Sequence, residues 1–216
     1  MTEQDLRTEI TSAYRELDRL GMNKGSSGNI SVRHGDNMLI TPSGIPALEM
    51  TPDQVSVLRI DDSSGDYQDQ TKPSTEWRFH RAILHGRGDI NAVVHTHAPF
   101  STILSILRKP IPAVHYMIAA FGVSELKVAE YATYGTEDLS HAVVAAMEGS
   151  AGCLMANHGM VVGGSSLYQA TWLADQFELL ANQYYHALLA GEPHILSDAQ
   201  VAETAASFAD YGPKDP

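Results

Sequence analysis

Two histidines separated by a single residue, His95 and His97, are the first candidates for chemistry in this sequence. In an extended strand, residues i and i+2 project to the same face, so both imidazoles could bind one cation. A catalytic zinc usually takes three protein ligands and keeps one position open. The best third ligand is His158, which lies in the motif Asn157-His158-Gly159. By itself a His-x-His pair is weak, so the assignment depends on the surrounding motifs.

Two short runs of glycine and hydroxyl residues, 25–29 and 41–44, are candidates for binding an anion. Small residues let backbone N–H groups approach a phosphate without side-chain obstruction. Such runs more often form plain turns, so neither is specific alone. A third candidate is Ser74-Thr75, because Ser74 is predicted to cap a helix, and helix N-termini bind anions through unpaired N–H groups and the helix dipole.

Glu76 is predicted to lie in the first turn of that same helix. Acidic residues favour this position by a few tenths of a kcal/mol to about 1 kcal/mol, so a catalytic role requires the metal as well. His80 follows Glu76 by four residues on the same helical face and could support it indirectly. A packed or solvated histidine is the commoner situation, and we therefore leave His80 outside the predicted site.

The composition predicts an ordinary soluble protein with enough apolar residues to form a core. The chain has 216 residues, of which 44% are hydrophobic, and we expect one domain spanning 1–216. The net charge of −12 argues against a nucleic-acid partner, because phosphate backbones are bound by clustered Lys and Arg. The single cysteine, Cys153, forms no intrachain disulfide, and no run approaches the roughly 20 apolar residues of a membrane span. We expect a cytoplasmic protein without membrane contact.

The elements that must position these residues alternate between helix and strand. Apolar residues at helical spacing predict a first helix that ends before Gly21, and a tight reversal at 34–37 predicts a hairpin. Three further helices are predicted, at 74–84, 98–107 and 167–189. The remaining predicted strands lie at 55–60, 90–95 and 152–162, the last interrupted at 157–159. The pattern is mixed α and β with helices around a central sheet, and the tail after Ser207 is expected to be mobile.

Together these motifs resemble the class II aldolase and adducin-head superfamily, and within it the L-fuculose-1-phosphate aldolases. The resemblance runs from the first helix to Tyr211 and is carried by the segments 25–33, 40–44, 74–80, 95–97, 111–120 and 157–159. It implies a three-layer α/β/α fold with a central, mainly antiparallel sheet.

The resemblance also implies the site residues. It puts one zinc ion per subunit on His95, His97, His158 and Glu76, with Co²⁺ or Mn²⁺ as possible substitutes. The implied phosphate site comprises Ser26, Gly28, Asn29, Ser43, Gly44, Ser74 and Thr75. Tyr116 matches a tyrosine that reaches the neighbouring subunit's site in a homotetramer, Tyr211 matches one on the C-terminal tail, and Tyr134 matches an aromatic beside the aldehyde. A phenylalanine can stand at this last position in the family.

The implied activity is a zinc-dependent, reversible cleavage of a ketose 1-phosphate to dihydroxyacetone phosphate and a small aldehyde. L-fuculose 1-phosphate, which gives L-lactaldehyde, is the first candidate substrate. The nearest alternative is an aldolase for 5-deoxyribulose or methylthioribulose 1-phosphate. Glu76 is expected to shuttle protons at the enediolate carbon, with a proton affinity raised once substrate displaces it, and Tyr116 to exchange the proton of the hydroxyl that becomes the aldehyde oxygen.

Other activities in the superfamily are less compatible with the sequence. L-ribulose-5-phosphate 4-epimerase has an aspartate where Glu76 stands and a further acid in a region where this chain has none, between Tyr116 and Gly122. Sugar-acid phosphate decarboxylases and methylthioribulose-1-phosphate dehydratase share the fold and the histidines, so the reaction type depends on Glu76 and the tyrosines. A non-enzymatic, adducin-like module is disfavoured because all three histidines and Glu76 are retained.

Overall fold

The computed structural model of the protein describes residues 1–67 and 71–208. The α-helices in these ranges are α1 (Glu3–Arg19), α2 (Trp77–Gly86), α3 (Pro99–Ile106), α4 (Glu137–Ala146), α5 (Leu167–Ala190) and α6 (Asp198–Ser207), and two short 3-10 helices span Pro52–Gln54 and Tyr116–Phe121. The strands are β1 (Asn29–His34), β2 (Asn37–Ile40), β3 (Ser56–Arg59), β4 (Ala92–Thr96), β5 (Ile111–Pro112), β6 (Glu125–Leu126), β7 (Val128–Ala129), β8 (Gly152–Met155) and β9 (Gly159–Gly164). No helix in the described ranges is long and apolar enough to cross a membrane.

Seven strands form one sheet in the order β3-β2-β1-β4-β9-β8-β7, and β5 pairs with β6 separately. Every neighbouring pair in the large sheet is antiparallel except β7 with β8. Asn29 of β1 lies opposite His95 of β4, and Thr96 of β4 lies opposite Met160 of β9. The register therefore brings the start of β1, the end of β4 and the start of β9 together near the middle of the sheet.

The sheet separates two hydrophobic cores, because successive residues of a strand point to opposite faces. In β4, Val94 belongs to the core beneath α1, α3, α5 and α6, whereas Val93 belongs to the core beneath α2 and α4. Met160 and Val161 of β9 divide in the same way. The predicted three-layer α/β/α fold with a mainly antiparallel central sheet is confirmed.

Several local predictions are confirmed by the observed elements. Helix α1 begins with a capping box at Thr2 and is followed by Gly21 at φ +73°, a left-handed conformation that favours glycine. Strands β1 and β2 form the predicted hairpin, with His34 opposite Asn37. Helix α5 runs from Leu167 to Ala190, close to the predicted 167–189.

The prediction that Ser74 caps a helix is wrong. Helix α2 begins at Trp77, and its N-cap residue is Glu76, whose side chain makes no capping hydrogen bond. Ser74 instead closes a turn before the helix: its Oγ accepts a hydrogen bond from the Glu76 N–H at 3.3 Å, and its carbonyl accepts one from the Trp77 N–H at 3.2 Å. Glu76 therefore lies at the junction of turn and helix, where its side chain is free to face the sheet.

Two helices, α4 and α6, have no counterpart among the predicted elements. Thr136 caps α4 by accepting from the Leu139 N–H at 3.3 Å, and a capping box at Ser197 begins α6. Helix α6 ends at Ser207, where the predicted mobile tail begins, and residues 209–216, which include Tyr211, lie outside the described residues.

Candidate metal centre and active-site cavity

Three imidazoles, those of His95, His97 and His158, converge at the end of β4. Each offers a ring nitrogen, and these atoms all lie within 4.8 Å of one another. The Nε2 atoms of His95 and His97 are 3.0 Å apart. His95 is the second-to-last residue of β4, and His97 directly follows the end of that strand. His158 comes from the turn between β8 and β9. The fold thus brings together the three predicted metal ligands.

Strand β9 fixes the orientation of the His95 ring. Its Nδ1 donates to the Met160 carbonyl at 2.8 Å, which leaves the Nε2 lone pair directed at the other two imidazoles. His95 is fully buried, and burial lowers its pKa to about 3. A neutral imidazole with a free Nε2 is the form that ligates a metal ion.

The turn that carries His158 is held by helix α3. The Asn157 N–H donates to the Ser105 carbonyl at 3.0 Å, and the His158 N–H lies 3.3 Å from Ser105 Oγ. Asn157 itself has φ +55°, a left-handed conformation that asparagine tolerates better than most residues. The Arg108 Nε donates to Asn157 Oδ1 at 3.1 Å. These contacts aim His158 at the two histidines of β4.

Gly159 is required by close packing, whereas Asn157 is the residue of this turn that has a left-handed backbone. A Cβ atom at position 159 would lie 2.4 Å from the Thr96 carbonyl oxygen and 3.2 Å from His97 Cδ2. Only glycine lets β9 approach the end of β4 this closely. The glycine therefore sets the spacing between His158 and the other two histidines.

Glu76 completes the cluster. Its Oε2 lies 3.3 Å from His95 Nε2, and its Oε1 lies 3.1 Å from His158 Nε2. The Asn29 Nδ2 donates to Oε2 at 2.9 Å. Oε1 is buried and, despite its closeness to His158, forms no hydrogen bond within the described residues. Burial raises the pKa of Glu76, but the neighbouring His95 and His158 and the hydrogen bond from Asn29 lower it more, so the net direction is downward. In this geometry Glu76 is a carboxylate.

The donor set fits a divalent cation. Three imidazole nitrogens and one carboxylate oxygen are ligands that zinc accepts, and the buried Oε1 of Glu76 lacks a partner that a cation would supply. The expectation that Glu76 has a raised proton affinity concerns a carboxylate displaced by substrate. It remains a prediction, because here Glu76 faces the imidazoles.

A cavity of about 380 Å³ opens in front of this cluster. Every predicted phosphate or substrate residue in the described ranges lines it: Ser26, Gly28, Asn29, Ser43, Gly44, Ser74, Thr75 and Tyr134. Glu76, His97 and His158 line the same cavity, whereas His95 lies behind them. The metal cluster and the three predicted anion-binding segments therefore share one space.

Backbone pairing holds two of these segments side by side. The Ser74 N–H donates to the Thr41 carbonyl at 3.0 Å, and the Ser43 N–H donates to the Lys72 carbonyl at 2.9 Å. The loop after β2 and the turn before α2 therefore form a short antiparallel ribbon, in which Pro42 and Pro73 are bridged. This ribbon presents hydroxyl groups to the cavity from both of its strands.

The third segment needs glycine at one defined position. Gly28 has φ +71°, and a Cβ atom there would lie 2.3 Å from Asn23 Oδ1. Asn23 is buried, and its Oδ1 also accepts from the His97 N–H at 3.2 Å. The loop is thus packed against a residue that contacts a candidate metal ligand. The described lining residues of the cavity include no Lys or Arg, so an anion here would be bound by neutral donors.

Aromatic residues differ in their relation to the cavity. Tyr134, 65% exposed, lines its mouth, and so does Tyr131, which sequence reasoning did not assign. Gly135 packs against the cavity wall, because a Cβ there would lie 2.8 Å from the Thr75 carbonyl oxygen. Tyr116 is absent from the described lining; its ring lies 6.3 Å from that of Phe208 near α6, and 44% of the residue is exposed. Tyr211 is outside the described residues.

His80 was left outside the predicted site, but the structure links it to Glu76. The His80 Nε2 lies 2.5 Å from Asn29 Oδ1, and Asn29 is the residue that donates to Glu76. The four-residue spacing from Glu76 suggested indirect support from the same helical face, and the observed link is indirect but passes through Asn29 of strand β1. The spacing in the sequence therefore indicated a relation between His80 and Glu76, but not the hydrogen bonds through Asn29 that make it.

Comparisons with known proteins place this site in a family. Residues 8–185 match the family described as Class II Aldolase and Adducin N-terminal domain. The 5-methylthioribulose-1-phosphate/5-deoxyribulose-1-phosphate aldolase of Rhodospirillum rubrum is 47% identical over 207 residues, 96% of this chain and 92% of that protein. The L-fuculose phosphate aldolase of Escherichia coli is 42% identical over 213 residues, 98% of each chain. A solved L-fuculose 1-phosphate aldolase superposes with a TM-score of 0.90 at 37% identity, covering 95% of this chain and 96% of that one.

The chain belongs to the class II aldolase and adducin N-terminal domain family. Within that family it is a class II aldolase, an enzyme of the lyase class, and such aldolases are metal-dependent. The fold and the relatives leave the substrate between at least two ketose phosphates, because relatives named for either kind align over nearly the whole chain.

Proposed function

We propose that this enzyme reversibly cleaves a ketose 1-phosphate to dihydroxyacetone phosphate and a small aldehyde. The observation that carries the proposal is the shared cavity, in which Glu76 and the three imidazoles lie beside three loops rich in backbone and hydroxyl donors. A metal-ligand cluster suits the carbonyl end of such a substrate, and the loops suit its phosphate.

The reaction breaks the bond between C3 and C4 of the ketose. The C4 hydroxyl loses its proton and becomes the aldehyde oxygen, and the electron pair of the broken bond moves into the C2 ketone to give an enediolate. A proton delivered to C3 then yields dihydroxyacetone phosphate, so atoms and charge balance with no other reactant. A bound divalent cation would supply Lewis-acid stabilisation of the developing negative charge.

Glu76 is the residue best placed to move the proton at C3. Its carboxylate is buried beside the imidazoles and lines the cavity. Once substrate displaces it from them, its proton affinity is expected to rise, so it can accept a proton at C3 in one direction of the reaction and return it in the other. We propose Zn²⁺ as the ion, held by His95, His97 and His158 with Glu76 in the resting state. Co²⁺ or Mn²⁺ are possible substitutes, because imidazole binds all three.

The phosphate would bind to Ser26, Gly28, Asn29, Ser43, Gly44, Ser74 and Thr75. A phosphate surrounded by neutral donors suits a protein with a net charge of −12, since recognition here does not depend on clustered Lys or Arg. Tyr134 would contact the aldehyde portion at the cavity mouth.

We also propose a homotetramer in which Tyr116 reaches the site of the neighbouring subunit and exchanges the proton of the C4 hydroxyl. The support is its exposed ring outside the described lining of its own subunit's cavity. Tyr211, which the resemblance matches to a tyrosine on the C-terminal tail, is proposed as a further catalytic residue. Light scattering tests the size of the oligomer. Mixing a Tyr116→Phe chain with a Glu76→Gln chain tests whether sites are shared, because a hybrid oligomer would then contain some sites with both native residues and regain activity.

Two kinds of substrate, three compounds in all, are the candidates, and each kind has support. L-fuculose 1-phosphate is supported by the Escherichia coli relative and the superposed structure, which are named for it. 5-Deoxyribulose 1-phosphate and its methylthio analogue are supported by the Rhodospirillum rubrum relative, which is 47% identical and named for both. The substrates share the phosphate end and differ only in the aldehyde released.

The test is to supply all three phosphates separately to metal-loaded enzyme and to follow dihydroxyacetone phosphate by its NADH-dependent reduction, with and without chelator. We expect release that the chelator abolishes, and the ratio of kcat/KM values identifies the preferred aldehyde. Bound zinc without release from any of the three would contradict the aldolase assignment.

A further inference from the structure

His80 is a fully buried histidine whose two ring nitrogens both face strand β1. Its Nδ1 lies 2.8 Å from Ser31 Oγ, and its Nε2 lies 2.5 Å from Asn29 Oδ1. Asn29 and Ser31 are alternate residues of β1 and therefore point to the same face of the sheet, the face covered by α2. Asn29 also places its Nδ2 2.9 Å from Glu76 Oε2.

One set of proton positions satisfies all three contacts. The Glu76 carboxylate can only accept, so the Asn29 amide nitrogen must point towards it, and Asn29 Oδ1 is left as an acceptor. The Nε2 of His80 must then carry the proton, and the unprotonated Nδ1 accepts from the Ser31 hydroxyl. Burial lowers the pKa of His80 to about 3, which agrees with a neutral ring. The donors therefore run in one direction, from Ser31 through His80 and Asn29 to Glu76.

We propose that His80 is a positioning residue for the aldol cleavage, fixing the Asn29 amide so that Asn29 holds the Glu76 carboxylate against the three imidazoles. The proposal rests on the proposed function for its catalytic consequence. Without the Nε2–H donor, the Asn29 amide is free to rotate, and Glu76 Oε2 loses its donor. Ser31 acts one step further back, because its hydroxyl selects the tautomer of His80.

A role in packing alone makes the opposite prediction. The His80 ring stacks on Phe79 with centroids 4.6 Å apart and lies in a core of apolar side chains. If packing were its whole role, phenylalanine would replace it well. In the hydrogen-bonded network, phenylalanine leaves Asn29 Oδ1 and Ser31 Oγ buried without their partner, and such groups are costly when unpaired.

The experiment compares His80→Phe, which keeps a ring, with His80→Gln, whose amide nitrogen can occupy the place of Nε2. Leu84→Ala is the matched control: Leu84 is buried on α2, one turn beyond His80, and is not among the residues that line the cavity. For each full-length protein we would measure Tm, the affinity for Zn²⁺ by chelator competition after metal removal, the visible spectrum of the Co²⁺ form, and kcat and KM.

We expect His80→Phe to weaken Zn²⁺ binding and to lower kcat by about 10- to 100-fold each, the usual loss for a partner behind a metal ligand. The Co²⁺ spectrum should change and KM should change little. His80→Gln should recover most of both losses, while Leu84→Ala should lower Tm and leave Zn²⁺ affinity and kcat at the wild-type level. Should His80→Phe fail to fold, Ser31→Ala gives the same comparison with a severalfold loss.

The proposal is overturned if His80→Phe, or Ser31→Ala in its place, retains wild-type Zn²⁺ affinity and kcat. It is also overturned if glutamine is no better than phenylalanine, or if Leu84→Ala at an equal loss of Tm weakens Zn²⁺ binding equally. Failure of the proposed function looks different, because wild-type enzyme would then release no dihydroxyacetone phosphate while the Zn²⁺ affinities of the variants would still separate.

Discussion

The two ends of the active-site cavity are built on different physical principles. At the metal end, the side chains of His95, His158 and Glu76 are buried or nearly so, and each is oriented by a hydrogen bond or turn from another element. At the phosphate end, the contribution is mainly backbone: Gly28 and Gly44 have positive φ, and a two-stranded ribbon aligns Ser43 with Ser74. One end depends on titratable side chains and the other on the shape of loops.

This difference means that the two ends should fail in different ways. A substitution at the metal end changes charge and proton transfer, so it should lower kcat or metal binding. A substitution at the phosphate end changes loop shape, so it should raise KM and leave the metal in place. The largest effect on turnover is expected at the metal end.

Glu76→Gln should lower kcat by about 10²- to 10⁴-fold, the usual contribution of a general acid or base. Glutamine keeps the shape and the hydrogen bond from Asn29 but cannot take up the proton. The three imidazoles remain, so zinc should still occupy the site when it is supplied in excess, although its affinity falls with the loss of the carboxylate ligand. Stopped-flow measurement of dihydroxyacetone phosphate release, together with metal analysis, checks both parts.

Glu178→Gln is the control for loss of a buried carboxylate. Glu178 of α5 accepts hydrogen bonds at the start of α3 from the N–H groups of Phe100 and Ser101 and from Ser101 Oγ, at 2.6–2.9 Å. Its replacement should lower Tm and leave kcat nearly unchanged. Equal loss of kcat in the two variants would mean that Glu76 is a structural residue.

Gly28→Ala should raise KM for the phosphorylated substrate by about 10- to 100-fold, the equivalent of losing one hydrogen bond to a charged group. The added Cβ must lie in a left-handed residue, which costs about 1–2 kcal/mol, and it also meets Asn23 at 2.3 Å. The loop must therefore move away from the cavity. Zinc content should equal that of the wild type.

Gly25→Ala separates the two causes, because Gly25 has a similar φ of +66° and open space around its Cβ position. It should lose a comparable amount of backbone stability without moving the loop against Asn23, so KM should change little. If both variants raise KM equally, backbone strain alone accounts for the effect, and the contact with Asn23 is unimportant.

Much of this architecture follows from local sequence. A tight reversal at 34–37 predicts the first hairpin, helical spacing predicts α1 and α5, and two histidines near the end of an apolar run predict ligands at a strand end. These features depend on residues close together in the chain. The resemblance carried by the motifs added the phosphate loops and Glu76, which isolated patterns leave ambiguous.

Other features depend on contacts between distant segments. The two-residue strands β5, β6 and β7 exist only through their partners, as Ile111 does opposite Leu126. The start of α2 at Trp77 is set by the ribbon that pairs Ser74 with Thr41, which Ser74 as a local cap signal does not reveal. The link from His80 to Glu76 requires α2 to pack under β1. Such arrangements cannot be derived from spacing along one helix.

Acid should destabilise the folded protein through His80, the buried histidine behind the metal end. His80 has a pKa of about 3 in the folded protein against an ordinary value of 6.5, so below pH 6.5 the unfolded chain takes up a proton that the folded chain refuses. Stability from this group is therefore present above pH 6.5 and is lost as the pH falls towards 3. For one such histidine, the loss at about pH 5.5 is about 1.4 kcal/mol.

The measurement is urea unfolding of metal-free wild type and His80→Gln between about pH 7.5 and 5.5. The wild type should lose more stability than the variant over this range, because glutamine has no proton to gain. Parallel curves would show that His80 is protonated as readily in the folded protein as in the unfolded chain. Gly25→Ala, at the phosphate end, should follow the wild-type slope.

The smallest effect is expected at the cavity mouth, where Tyr134 is 65% exposed and the aldehyde portion is proposed to bind. Tyr134→Phe removes one hydroxyl, so a hydrogen bond to the substrate worth about 0.5–1.5 kcal/mol would disappear, and kcat/KM for the substrate that makes it should fall by about 2- to 10-fold. L-Fuculose 1-phosphate gives an aldehyde with a hydroxyl group, whereas 5-deoxyribulose 1-phosphate gives one without it. The ratio of the two kcat/KM values should therefore shift in favour of 5-deoxyribulose 1-phosphate. Zinc content and the KM for the shared product, dihydroxyacetone phosphate, should stay constant. An unchanged ratio would move the choice of aldehyde to Tyr131 or to the neighbouring subunit, since the phosphate end is common to both substrates.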